Sequence, residues 1–255
     1  MSALLIPASY AEKEVIIDVD SLVSKPYVNM TLEVLKFADA NIVNNNFKRF
    51  EIVPDRLKSI NYKVEGDYSS ASFLMAMGAI SGKVKVKNLR EDSIQADRVF
   101  VEILKDMGCS IKTGKDSINL KSGSLDPVDV SLKNTPDLFP PLAVCCSFAD
   151  GKSVIRDISH LEYKESNRIE IITKEFRKIG VNINRTGDAV EIEGKESLKG
   201  GETESHGDHR VAMALFSMGT RCEMLKVMDF DCTGVSYPNF LKDAKSIGVN
   251  FEVEV

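Results

Sequence analysis

The chain has 255 residues, 43% of them hydrophobic and 28% charged, enough to bury the core of one large or two modest domains. A formal charge of −5 lacks the basic surplus expected of a nucleic-acid binder. No apolar run approaches the roughly 18 residues of a membrane-spanning helix, so neither nucleic acid nor membrane is an expected partner.

The opening stretch, "MSALLIPASYAEKEV", has no basic region like that of a secretory signal and reads as the last turns of an apolar helix. Further on, one plan recurs. "LKDMGCSIK" (104–112), "FRKIGVNIN" (176–184) and "AKSIGVNFE" (244–252) each read as a helix end with a basic residue, a glycine cap and an alternating strand. Gly108, Gly180 and Gly248 lie about seventy residues apart, and "LKFADANIV" (35–43) is a weaker fourth copy with Asp39 in the glycine slot.

A second series keeps step with the first. "GDYSSASFLMAMGAI", "PDLFPPLAVCCSFA" and "GDHRVAMALFSMG" each set an aspartate (Asp67, Asp137, Asp208) ahead of an apolar helix, where a carboxylate can accept unpaired backbone N–H groups. The strands "KVKVKNL", "KSVIRDI" and "MLKVMDF" follow, then an amphipathic helix, the glycine and a strand. In the first two copies a further strand, "SINLKS" or "AVEIEG", comes next. Helices apolar all round are buried ones, and alternating strands have one wet face. The predicted fold is therefore α+β (α/β): three stacked units, residues 66–255, around buried helices with their sheets outermost. Residues 1–65 are expected to be a partial unit of another lobe, with "VPDRLKSINYKVEGD" (53–67) as crossover.

Stacking places equivalent element ends on one face. Asp137, the "YKESNR" segment (163–168) and Asp208, His209 and Arg210 all stand at such ends, so Lys164, Arg168 and Arg210 should gather with Asp137 and Glu165. Helix N-termini reinforced by cations bind phosphates, and acids beside them can move protons. Taken singly, each motif also has a plain structural reading: a first helical turn with a Glu–Arg pair for "KESNR", caps for Asp137 and Asp208, a surface histidine for His209. Five cysteines (Cys109, Cys145, Cys146, Cys222 and Cys232) form no CxxC pair or ligand-spaced cluster and read as reduced thiols of a cytoplasmic protein.

"LVSKPY" (22–27), "GDYSSASF" (66–73), "TPDLFPPLAV" (135–144), "YKESNR", "GDHRVAMA" (207–214) and "SYPNF" (236–240) occur in the order seen in the 5-enolpyruvylshikimate-3-phosphate synthase family, which the chain resembles throughout. The resemblance implies βαβαββ units in an inside-out barrel and enolpyruvyl transfer from phosphoenolpyruvate to shikimate 3-phosphate, without metal or organic cofactor. It gives Ser24 and Tyr27, with His160 and Lys164, contacts to shikimate 3-phosphate. Asp137 would bind the shikimate hydroxyls and share proton transfer at the attacking one, and Glu165 would exchange the proton at the methylene carbon. Arg168 and Arg210 would clamp phosphoenolpyruvate, as guanidinium forks suit, with His209 beside them.

Two positions depart from the family pattern: Val235 stands where a lysine is usual, and Glu162 where arginine is common, which should make the local field less positive. The family's segments ahead of "ALLIPA" are also expected to be missing. The chain then corresponds to the C-terminal lobe plus the end of the N-terminal lobe, with little turnover alone and a missing lobe as partner. Alternatives are the related UDP-N-acetylglucosamine enolpyruvyl transferases, an RNA 3′-phosphate cyclase-like protein on related repeats, and a non-catalytic lobe that binds phosphorylated ligands.

Overall fold

The computed structural model describes residues 1–254, which form two compact units. The first comprises Met1–Glu65 with Ile94–Ala96, the second Gly66–Ser93 and the chain from Asp97 onward. In the first unit, helix α1 (Ser2–Ala8) precedes strand β1 (Val15–Asp18), helix α2 (Lys25–Phe37) and the hairpin β2 (Asn41–Asn45) and β3 (Arg49–Val53). The sheet order is β1-β3-β2, fully antiparallel. Asp39, after α2, adopts φ +65°, the left-handed backbone that the weak fourth copy calls for in its glycine slot.

The second unit is built on three helices without a wet face: α3 (Tyr68–Ser81), α5 (Phe139–Cys146) and α7 (His209–Gly219). Every residue of α5 is buried, as is α3 from Ala71 through Ile80. Such helices are stable only when covered on all sides, and the three pack against one another. Burying a phenylalanine such as Phe73 or Phe139 contributes about 1.5–3 kcal/mol against about 1 kcal/mol for a typical cap, and each helix buries several apolar side chains, so the apolar sequence dominates helix placement. The outer helices α4 (Phe100–Asp106), α6 (Arg168–Lys178) and α8 (Phe240–Ser246) each bury one stripe.

Three sheets cover this core. Strands β4 (Lys83–Lys87), β5 (Ser110–Gly114) and β6 (Ser117–Lys121) run in the order β4-β6-β5. The second sheet has the order β7-β8-β10-β9, from β7 (Asp129–Ser131), β8 (Lys152–Arg156), β9 (Asn182–Thr186) and β10 (Ala189–Glu193). In the third, β11 (Gly201–Glu204) pairs parallel to β12 (Leu225–Met228). Valines and isoleucines such as Val84, Val86, Ile118, Ile155, Val190 and Ile192 face inward, alternating with more exposed neighbours. The inside-out arrangement of buried helices and outer sheets matches the sequence reading. No helix among the described residues is long and apolar enough to cross a membrane.

Details differ. The short strands β7 and β11, absent from the repeat as read, each pair parallel to the first strand of the following unit. The expected strand after Gly248 does not form: residues 249–254 have no ladder. In the first two units the strand after the glycine pairs with the next strand of its hairpin, β5 with β6 and β9 with β10. No such strand follows residue 252 among the described residues. Alternation alone cannot make a strand without backbone partners. Gly108, Gly180 and Gly248 all have positive φ, +93°, +90° and +96°, as helix-ending glycines should.

Candidate functional site

The C-terminal ends of α3 and α7 meet, with Ser81 Oγ 2.8 Å from Thr220 Oγ1. Asp67 accepts bonds from the N–H groups of Ser69 and Ser70, and Asp208 from those of Arg210 and Val211, both as the sequence predicts for caps. Asp137 is different. It sits inside a 3-10 turn, Pro136–Leu138, that leads into α5 and caps nothing, because α5 begins with Leu138 at its N-cap. Its carboxylate instead turns toward Lys164 and Arg168 of its own unit and Arg210 of the next.

At the centre is Arg168, the first residue of α6, with no exposed side-chain surface. Its Nε donates to Asp208 Oδ2 at 3.0 Å and its Nη2 to Asp208 Oδ1 at 3.2 Å. Nη2 also reaches Glu165 Oε2 at 2.5 Å, and Nη1 reaches Asp137 Oδ1 at 3.3 Å. Around it, Lys164 Nζ stands 3.5 Å from Asp137 Oδ1 and Arg210 Nη2 3.2 Å from Asp137 Oδ2. Three carboxylates and three cations from two successive repeat units thus interlock. Asp208 has no exposed surface, Asp137 keeps 17% of its side chain in solvent and Glu165 50%. The innermost pair is therefore sealed, while the acids that could meet a ligand stand at the rim.

The field follows from this placement. Burial pushes the Asp137 carboxyl up, but Arg210, Lys164 and Arg168 outweigh it and hold the group below the usual carboxylate range. Asp208 is likewise held down, burial being overcome by Arg168 and by hydrogen bonds from Ser166 and the Arg210 N–H. His209, half-buried at the start of α7, has its imidazole pushed down by burial and by Arg210. His160 is pushed down by burial and by Lys164, and its Nε2 is buried without a hydrogen-bond partner among the described residues. A buried nitrogen left so is a position that a ligand hydroxyl or carbonyl could satisfy.

The loop carrying His160, Lys164 and Glu165 is a 3-10 turn (Ser159–Tyr163) followed by bends at residues 164–166, and α6 starts only at Arg168 with Asn167 as cap. "YKESNR" is thus mostly the approach to a helix, not its first turn. Asp188 on the β9–β10 turn accepts the Ser159 N–H at 2.5 Å and also its hydroxyl. Glu162 pairs with Arg185. Val235 is exposed at the end of its 3-10 turn and has no ammonium to offer. Ser24 and Tyr27 stand one turn apart at the start of α2 in the first unit, Ser24 with φ +54°.

One contributor was not evident in the sequence. Glu175 lies two turns along α6 from Arg168 and has no exposed surface. It accepts bonds from His206 Nε2 at 2.9 Å, Lys178 Nζ at 2.7 Å and the Glu204 N–H at 3.1 Å. Arg168 and Glu175 together pin the segment from Glu204 to Asp208, in which His206 and Gly207 both have positive φ. The available signal was a glutamate between Ile172 and Phe176 on the buried stripe of a helix, where an unpaired charge would be too costly to persist.

A family model described as EPSP synthase (3-phosphoshikimate 1-carboxyvinyltransferase) matches residues 1–243. The chain belongs to the EPSP synthase family. Among its curated relatives, a 3-phosphoshikimate 1-carboxyvinyltransferase of Methanothermobacter thermautotrophicus is 39% identical over 97% of this chain and 59% of its own length. Another from Clostridioides difficile is 37% identical over 96% of this chain and 56% of its own. The solved structure of an EPSP synthase from Acinetobacter baumannii superposes with a TM-score of 0.83 at 25% identity, covering 99% of this chain and 60% of that one. The chain therefore spans somewhat under three-fifths of the length of these curated relatives.

Proposed function

We propose that this chain carries part of a cytoplasmic site that transfers the enolpyruvyl group of phosphoenolpyruvate to the 5-hydroxyl of shikimate 3-phosphate, releasing phosphate. The observation that carries the reading is the interlocked cluster of Asp137, Lys164, Glu165, Arg168 and Arg210 at the ends of repeat-unit helices. Family membership supports the same chemistry.

In this reading the 5-hydroxyl oxygen bonds to C2 of phosphoenolpyruvate while C3 gains a proton. The tetrahedral intermediate then loses one proton from C3 as its C2–O bond to phosphate breaks, restoring the double bond. Asp137, kept ionised by its cations, orients the attacking hydroxyl and accepts its proton, which passes on to the departing phosphate, while Lys164 helps hold the shikimate substrate. Glu165 is anchored through one oxygen to Arg168 and half-exposed, which leaves its other oxygen to give and later recover the proton at C3. Arg210, at the start of α7 where backbone dipoles add positive potential, takes the phosphate or carboxylate of phosphoenolpyruvate, with His209 adjacent. Arg168 has no exposed surface, so we assign it to holding Asp137, Glu165 and Asp208 in register behind the ligand, in place of the direct clamp that the resemblance implies. His160 would bind a shikimate hydroxyl, and in the first unit Ser24 and Tyr27 are the residues that the resemblance assigns to shikimate 3-phosphate.

Since several groups of such a site act as a unit, and the chain spans only part of its relatives' length, we expect little turnover from these residues alone. Titration calorimetry of the chain with shikimate 3-phosphate and, separately, with UDP-N-acetylglucosamine tests the reading. Saturable binding of shikimate 3-phosphate that weakens in Asp137→Asn supports it. Preference for the UDP-sugar, or no binding of shikimate 3-phosphate, would sink it.

A further inference from the structure

Every charged residue on the wet face of the β4-β6-β5 sheet is a lysine. Lys83, Lys85 and Lys87 point outward from β4, Lys121 from β6 and Lys112 from β5. In the ladder Lys83 lies directly opposite Lys121, which in turn opposes Ser110, while Lys85 and Lys112 flank Asn119. Like charges placed directly across a ladder repel, so this face carries a cost in the free protein. None of these five lysines makes an ion pair within 4.0 Å among the described residues.

The other sheets of the same unit behave otherwise. On the second, Lys152 pairs with Glu191 at 3.2 Å and Arg156 with Asp129 at 2.5 Å. On the third, Lys226 pairs with Glu254 at 2.6 Å. The cations named on the other two sheets are neutralised while these five lysines are left bare, in a chain whose net charge is −5. Lysines on edge strands alone would guard against sheet-to-sheet association, but Lys121 is on the central strand, where there is no edge to guard. The bare face is also concave. Lys83, Lys85, Lys112 and Lys121, with Ser110 and Asn119, line a groove of about 590 Å3 that is closed on one side by Ser246 and Ile247 at the end of α8.

We propose that this groove binds a small anion bearing several phosphoryl groups in a row. Neighbouring strands stand about 4.8 Å apart and alternate residues of one strand about 6.8 Å apart, a grid of cations that suits successive phosphoryl groups. The groove's size fits one small molecule, and the negative chain as a whole would repel a long nucleic acid. No aromatic side chain lines it, so a nucleobase would find no stacking surface.

The test is titration of the 15N-labelled chain with inorganic tripolyphosphate at low and moderate salt, with adenosine triphosphate as a second arm. Saturable shifts confined to residues 83–87, 110–114 and 117–121, with the two ligands binding alike, are expected. Lys85→Glu combined with Lys121→Glu should weaken binding at least about tenfold, whereas Lys152→Glu on the second sheet should not. Melting curves establish that each variant is folded, and the milder Lys85→Gln with Lys121→Gln should show the same order of effect. Shifts centred on residues 160–168 and 208–210, an equal loss in Lys152→Glu, or no saturation at millimolar tripolyphosphate would each overturn the proposal.

Discussion

Replacing Arg168 by methionine tests whether this arginine is the keystone of the ion cluster. The substitution removes the contacts to Asp208 at 3.0 and 3.2 Å, to Glu165 at 2.5 Å and to Asp137 at 3.3 Å. The losses are unequal. Glu165 is half-exposed and returns to water, and Asp137 keeps Lys164 at 3.5 Å and Arg210 at 3.2 Å. Asp208 has no exposed surface, so it bears most of the penalty. Removing one partner of a buried pair costs about 3–5 kcal/mol. Asp208 retains Ser166 Oγ at 2.8 Å and two backbone N–H groups, which puts the expected loss near the lower end, about 3 kcal/mol. For a unit of this size that corresponds to a fall in Tm of roughly 6–12 °C. Circular dichroism melts of wild type, Arg168→Met, Asp208→Asn and the double variant would measure it. Because the stranded carboxylate escapes its penalty by taking up a proton, the deficit should shrink as pH falls toward about 5. The double variant, with no buried charge left, should recover about 2 kcal/mol over Arg168→Met. A single variant within about 0.5 kcal/mol of wild type, or a double variant no better than the single, would refute the reasoning.

Other outcomes follow from the same geometry. Both Asp137 and Asp208 have carboxyls held below their unfolded value of 3.8, so their contribution is complete above roughly pH 4 and is lost as pH falls through the folded values. Acid titration of stability should show this loss, and it should be smaller in Asp137→Asn. In an enzyme made complete with the rest of the family fold, Glu165→Gln should lower kcat by about 10²–10⁴ with a small change in KM, measured by phosphate release. Glu175→Gln should displace the backbone amide resonances of His206 through Arg210 and cost about 1–3 kcal/mol, since a buried group loses a charged partner; unchanged resonances would show that Glu175 does not position the segment. Gly180→Ala should cost about 1 kcal/mol, because φ is +90° but nothing lies within 4 Å of the added Cβ. Gly108→Ala should cost clearly more, because its Cβ would meet Ser124 O at 2.6 Å. Parallel urea melts compare the two.

The sequence alone determined the module. The seventy-residue period, the glycines with positive φ, the apolar helices and the alternating strands are all local properties, written in residue type and spacing. The period also implied that Asp137, Lys164, Glu165, Arg168 and Arg210 would meet, since stacked modules bring equivalent ends together. Only the tertiary structure decided how they meet. Whether Asp137 caps its own helix or faces Arg210 and Lys164 depends on neighbours distant in sequence, one of them in the next unit. Whether Arg168 meets a ligand or three carboxylates depends on burial, which no local pattern encodes. The strand expected after Gly248 failed, and β7 and β11 arose unforeseen, for one reason: a strand exists only through partners distant in sequence. The bare lysine face became visible the same way, since charges that alternate along three separate strands acquire meaning only when register sets them side by side.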